Sequence, residues 1–309
     1  MPRVNLRQYP WALLLVWVVP ILVVLSLCAT LRLFEGSNGI LLGLLIAAAM
    51  PVANSSVGWA HLGRGNLPLT LALLLGATIT APFIAPTFIY TVAATCLPDP
   101  LRADRVLPLG QLAGFLGFWV VAPTLSGAVI GLWSRRQGVI WSALWLRRVS
   151  MICILLLNYI NASAALPLIR SESLVLQGLV WTGINLTLLL FFGWLASRLL
   201  KVGKAEQVSL TLACGMRNTG AALVLAGSQF QQEPVVIMTI VLQTLLQNVF
   251  AALLIALMIR KEPEPFASLS QTLNQCSDNG QAAGTGTGNR QSPGSLSADA
   301  DPNGKPVSR

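Results

Sequence analysis

The sequence predicts an all-α, polytopic membrane protein, and three observations carry that prediction. Only 10% of the 309 residues are charged and 54% are hydrophobic, whereas a soluble domain carries roughly a quarter charged residues. Apolar runs of about twenty residues, the length that crosses a bilayer as a helix, recur from Trp11 to Met258. The basic residues gather in alternate loops, the positive-inside signature. The net charge of +9 is therefore a mark of topology, not of a nucleic-acid surface.

About eight crossings are expected, at 9–33, 39–62, 67–94, 107–133, 140–169, 174–200, 206–228 and 235–259. Arg3 and Arg7 precede the first. The apolar run after them is longer than a signal-peptide core and lacks a small-x-small cleavage site, so it reads as a retained helix. Arg64 follows the second crossing, and Arg135, Arg136, Arg147 and Arg148 separate the fourth and fifth. Arg198, Lys201 and Lys204 follow the sixth, and Arg260 and Lys261 the eighth. If the crossings alternate, all of these share one face, which puts both termini in the cytoplasm and the protein in the plasma (inner) membrane. Residues 1–261 form the expected transmembrane domain. From 262 to 309 the composition turns to Ser, Gly, Asn, Gln, Asp and Pro, the signature of a disordered cytoplasmic tail. Cys28, Cys96, Cys153, Cys214 and Cys276 show no paired or metal-ligand spacing and read as small apolar packing residues.

Two of the expected helices are interrupted at mid-depth. In the second, Pro51 removes a backbone donor, and Asn54, Ser55 and Ser56 supply N-cap chemistry for a restart. In the seventh, Gly215 can end one half-helix and Asn218 or Thr219 can cap the next. Backbone groups exposed at such breaks must line a cavity or bind something. Two broken helices, one per half of the chain, point to an inverted-repeat transporter core with two discontinuous crossing helices. Arg217 lies inside the second break. A guanidinium at bilayer depth costs about 2.5–3.5 kcal/mol on insertion scales, so it marks a functional site and needs partners.

These residues resemble the bile acid:sodium symporter family. Pro51 to Asn66, ending Arg64-Gly65-Asn66, is similar to the family's first crossing helix, which reads Pro-Gly-Gly-x-x-Ser-Asn and ends Lys-Gly-Asn. The stretch 78–86, with Ala81-Pro82 and Ala85-Pro86, looks like the end of the next helix. Gly215-Met216-Arg217-Asn218-Thr219-Gly220 is similar to the family's Gly-Met-Gln-Asn-Ser-Gly. The resemblance covers most of the chain up to about Arg260 and implies sodium-coupled transport. Two sodium ligands of the family are replaced, a Glu by Ala213 and a Gln by Arg217, and the Asn of the first motif is Val57. Ser56, Thr70, Ala213, Met216 and Arg217 are what the resemblance leaves of the ion site. The chain also looks about two helices short at its N-terminus relative to the family.

The expected function is secondary transport of a small organic anion of carboxylate type by alternating access, with sodium coupling altered or lost. Arg217 would replace the ion, donating to the half-helix carbonyl ends and to Asn54 or Ser55. The substrate site is expected at Asn54, Ser55, Ser56, Arg217, Asn218 and Thr219, because amide-rich helix starts and a guanidinium attract anions. The alternative is a non-transporting ligand-binding or partner-dependent protein of the same fold, with Arg217 as a buried strut. An enzyme is disfavoured, since no Asp, Glu or His lies inside a span away from its ends. No catalytic residue, metal or cofactor is expected, sodium being the one ion the resemblance brings in. His61 reads as interfacial, Gln243, Gln247 and Asn248 as interhelical hydrogen-bonding groups, and the tryptophans as interfacial anchors.

Overall fold

The computed structural model describes residues 9–31, 38–97, 109–137, 172–230 and 232–259, with isolated positions between 145 and 163. Among these residues the regular elements are helical: α1 Tyr9–Leu31, α2 Asn38–Ala49, α3 Ser55–Leu62, α4 Leu67–Cys96, α5 Leu109–Leu116, a π-helical turn Gly117–Val121, α6 Ala122–Arg136, α7 Glu172–Leu199, α8 Lys204–Gly215, α9 Thr219–Gln229 and α10 Pro234–Ile259. Most of the expected crossing at 140–169, with Asn158 and Asn161, lies outside the described residues, as does the tail after 259.

Five stretches are long and apolar enough to cross a membrane: Tyr9–Leu31, Leu67–Cys96, Leu109–Ser134, Glu172–Leu199 and Pro234–Met258. Two further expected crossings are the broken pairs α2/α3 and α8/α9. Their halves hold 12 and 8 residues, and 12 and 11. At 1.5 Å per residue each pair reaches roughly 30–35 Å, enough for the hydrocarbon core. The order long, broken, long therefore occurs twice, as α1, α2/α3, α4 and as α7, α8/α9, α10. Val52 and Arg217, which form an antiparallel bridge, stand 165 positions apart. That same shift carries 38–49 onto 203–214, beside α8, and 67–96 onto 232–261, beside α10.

Helices α1 and α4 run parallel and are tied at three levels. Tyr9 Oη donates to the Ala72 carbonyl at 3.0 Å and Trp17 Nε1 to Thr80 Oγ1 at 3.0 Å, both across 63 positions. Near their C-terminal ends a Cys28–Cys96 disulfide closes the pair, with Cα atoms 6.2 Å apart. These two cysteines are thus not the unpaired packing residues that their spacing suggests; 68 intervening positions hide the pairing until the helices are laid side by side. Helix α4 runs on through Pro82 and Pro86 to Cys96, close to the end at 94 expected for the third crossing, since neighbouring helices hold it in place. Between α2 and α10 the contact is backbone-close. A Cβ on Gly43 would lie 2.7 Å from Thr239 Cβ and 2.9 Å from the Val236 carbonyl, the close approach that small residues permit between membrane helices.

Candidate functional site at the helix crossing

The two breaks meet and complete each other. Pro51 has no N–H to continue α2, and the chain leaves the helix at Met50. Its extended residues pair with those after Gly215: Ala53 N–H donates to the Met216 carbonyl at 3.0 Å, and Asn218 N–H to the Pro51 carbonyl at 2.8 Å. Backbone groups that would otherwise lie bare in the membrane interior are satisfied across the crossing, as buried backbone requires.

The restarts differ. On the second side Asn218 is the expected cap, its Oδ1 accepting from Ala221 N–H at 3.2 Å. Thr219 Oγ1 accepts from Gln247 Nε2 at 3.1 Å, while Gln247 Oε1 accepts from Arg217 N–H at 3.3 Å. One α10 side chain thereby pins the second break. On the first side the expected side-chain cap is not made. Asn54 has helical φ and ψ of −59° and −32° and no capping bond, and Ser56 N–H is taken by the Ala53 carbonyl at 3.0 Å. Asn54 and Ser55 are exposed, whereas Ser56 is fully buried with an unpartnered Oγ among the described residues.

Arg217 is 0% exposed, as its position inside the break leads one to expect. Its contacts are not the expected ones to the half-helix ends or to Asn54 and Ser55. Nη1 donates to the Val16 carbonyl on α1 at 3.1 Å, and the guanidinium carbon lies 5.2 Å from the centre of the Trp17 ring. The reason is Pro20, inside α1. Proline offers no N–H to the carbonyl four residues earlier, which is that of Val16. The guanidinium supplies the missing donor and rests against an aromatic face that attracts cations. Nε and Nη2 of Arg217 have no partner among the described residues. Trp17 is accordingly a buried partner of this charge rather than an interfacial anchor.

The remaining expected positions separate into two places. Ala213 and Met216 are buried at the end of α8, next to Arg217. Thr70 belongs to a second junction, where its hydroxyl donates to the Asn66 carbonyl at 3.1 Å. Asn66 caps α4 through Leu69 N–H at 3.1 Å, and its amide donates to Glu206 Oε1 at 2.9 Å. Its own N–H reaches the Ala205 carbonyl at 3.1 Å, and Ser209 Oγ donates to its carbonyl at 3.0 Å. His61 is exposed in the last turn of α3. Trp59 Nε1 donates to Asn248 Oδ1 at 3.1 Å and Asn185 Nδ2 to Gln243 Oε1 at 3.3 Å. The polar residues of α10 thus form the interhelical bonds expected of them. Sequence reasoning passed over Pro20, Thr182 and Asn185; a proline inside an apolar span was the available signal for the first. No group of three or more His, Cys, Asp or Glu able to hold a metal occurs among the described residues.

The sequence profile of the Sodium Bile acid symporter family matches residues 5–177, somewhat more than half of the chain, from before α1 into α7. Among curated proteins, the chain is 28% identical over 234 residues to an uncharacterized Bacillus subtilis protein, YbaS, covering 75% of this chain and 73% of that one. It is 26% identical over 193 residues to the B. subtilis "uncharacterized sodium-dependent transporter YocS", covering 62% and 56%. It is 25% identical over 215 residues to the rice "probable sodium/metabolite cotransporter BASS1, chloroplastic", covering 69% and 49%. The aligned region is thus about half the length of the latter two relatives.

Proposed function

We propose, for a chain that belongs to the sodium bile acid symporter family and so to a family of membrane transporters, that it moves a small organic anion of carboxylate type by alternating access, with Arg217 standing in for a coupling cation. The observation that carries this reading is a fully buried guanidinium at the crossing with only Nη1 bonded to a neighbouring carbonyl. Its two other donor nitrogens form a planar edge suited to a carboxylate. Asn218, Thr219 and Ser56 stand around the same crossing, and Asn54 and Ser55 lie on its exposed side.

Two relatives carry sodium in their names. Here Ala213 and Arg217 replace the carboxylate and the amide that the family offers sodium, and a fixed positive charge repels a second one at short range in a low-dielectric interior. Transport is therefore sodium-independent. The orientation fits the same picture: the basic loops mark the cytoplasmic side, and the Cys28–Cys96 disulfide sits at the opposite helix ends, where an oxidising compartment allows it. Both termini are cytoplasmic and the membrane is the plasma (inner) membrane.

Uptake of a panel of labelled carboxylates into proteoliposomes tests the reading, with sodium exchanged for choline at constant ionic strength. Saturable uptake indifferent to sodium, weakened by Arg217→Lys, is the expected result. Uptake that rises with sodium overturns the stand-in role. Saturable binding without flux favours the second reading, a non-transporting ligand-binding member, for which Arg217 serves mainly to complete α1.

A further inference from the structure

A second buried polar cluster lies between α7 and α10. Thr182, Asn185 and Gln243 are fully buried. The single bond from Asn185 Nδ2 to Gln243 Oε1 leaves Thr182 Oγ1, Asn185 Oδ1 and Gln243 Nε2 without partners among the described residues. Thr182 and Asn185 are three apart on α7 and share a face. One turn earlier, a Cβ on Gly178 would lie 2.8 Å from Met238 Cε and 3.1 Å from Leu242 Cδ1 of α10, so that face is turned toward α10. Three polar atoms left unpaired inside an apolar bundle are strongly disfavoured, so the cluster needs an occupant.

The numbering of the chain explains why this place is polar. The 165-residue shift that relates the bridged Val52 and Arg217 carries Trp17 onto Thr182, Pro20 onto Asn185 and Thr78 onto Gln243. In the first half, the place beside Trp17 and Pro20 receives the guanidinium of Arg217. In the second half the bridging residue is Val52, whose side chain has no hydrogen-bonding atom. The polar atoms are therefore supplied by α7 and α10 themselves.

We propose that Thr182, Asn185 and Gln243 bind one water molecule, which serves α7 as the Arg217 guanidinium serves α1. The occupant must donate to Asn185 Oδ1 and accept from Gln243 Nε2, while the Thr182 hydroxyl works either way. If both amides are turned over, donor and acceptor exchange places and the requirement is unchanged. A cation would meet the Gln243 amide hydrogens and an anion the Asn185 oxygen, so an ion of either sign is opposed. Three partners is the usual complement of a buried water.

The test is a density map of the protein in lipid at about 2 Å resolution, recorded once in sodium and once in choline. A single peak at hydrogen-bond distance, about 2.7–3.2 Å, from all three atoms in both maps is the expected result. An empty site, or a peak that vanishes with sodium, overturns the proposal. Thermal unfolding adds a second readout. Asn185→Leu and Gln243→Leu each strand the remaining polar atoms and lower the melting temperature by several degrees. The triple variant with Thr182→Val removes every polar atom and recovers most of that loss. A triple variant as destabilised as the sum of its parts counts against a shared occupant.

Discussion

The bond between Arg217 and the Val16 carbonyl exists because Pro20 cannot make it, and a double-mutant cycle measures that dependence. Arg217→Met keeps a long apolar stem and removes every donor. It strands the Val16 carbonyl, at about 1–3 kcal/mol for an unpaired buried acceptor, and loses the contact with Trp17, worth up to about 2 kcal/mol when desolvated. It also removes a buried charge whose insertion costs about 2.5–3.5 kcal/mol. The single variant is therefore a near balance, and its sign decides nothing. Pro20→Ala returns an N–H to α1 four residues after Val16. In that background Arg217→Met strands no carbonyl, while the charge and aromatic terms recur and cancel in the cycle. The expected coupling is about 1–3 kcal/mol, with Arg217→Met less destabilising beside Ala at position 20. At roughly 2–4 °C per kcal/mol, unfolding followed by tryptophan fluorescence in detergent should show the two Arg217→Met shifts differing by about 2–12 °C. Equal shifts in both backgrounds would refute the link between Pro20 and Arg217.

Two further outcomes follow from contacts between helices. Asn66→Ala removes the α4 cap and the bond to Glu206, and should lower stability by about 1–2 kcal/mol in the same unfolding assay, whereas Asn66→Asp, which keeps the cap, should recover part of the loss unless Glu206 repels it. Protein purified without reductant should have Cys28 and Cys96 resistant to alkylation until reduced, as read by intact mass; Cys28→Ser with Cys96→Ser should cost about 2–4 kcal/mol.

Much of the architecture is legible in the chain because long apolar runs can do little but cross a bilayer. Pro51 and Gly215 announce the two breaks through backbone chemistry alone, and Arg217 announces burial through its setting. What it touches is another matter. Helices such as α1 and α2 are apolar on every side, so the sequence gives no face and hence no neighbour. The acceptor for Arg217 lies 201 positions away, and its readiness to accept depends on a proline that looks like an ordinary kink. Asn54 and Ser55 carry the best capping side chains at the first break, yet the turn closes on backbone bonds and leaves them outward. The disulfide escaped notice for a related reason, since its two cysteines become neighbours only when α1 and α4 run in the same direction.

The long reach of the Val16 carbonyl bears on how the protein is made. Ribosomes add about 5–20 residues per second, so α1 enters the membrane some 10–40 s before the residue that completes it is synthesised. For that interval the nascent chain holds an unsatisfied acceptor in lipid, with water, the insertion machinery or a temporary neighbour as its only relief. A substitution at position 217 leaves that interval unchanged and removes the event that ends it.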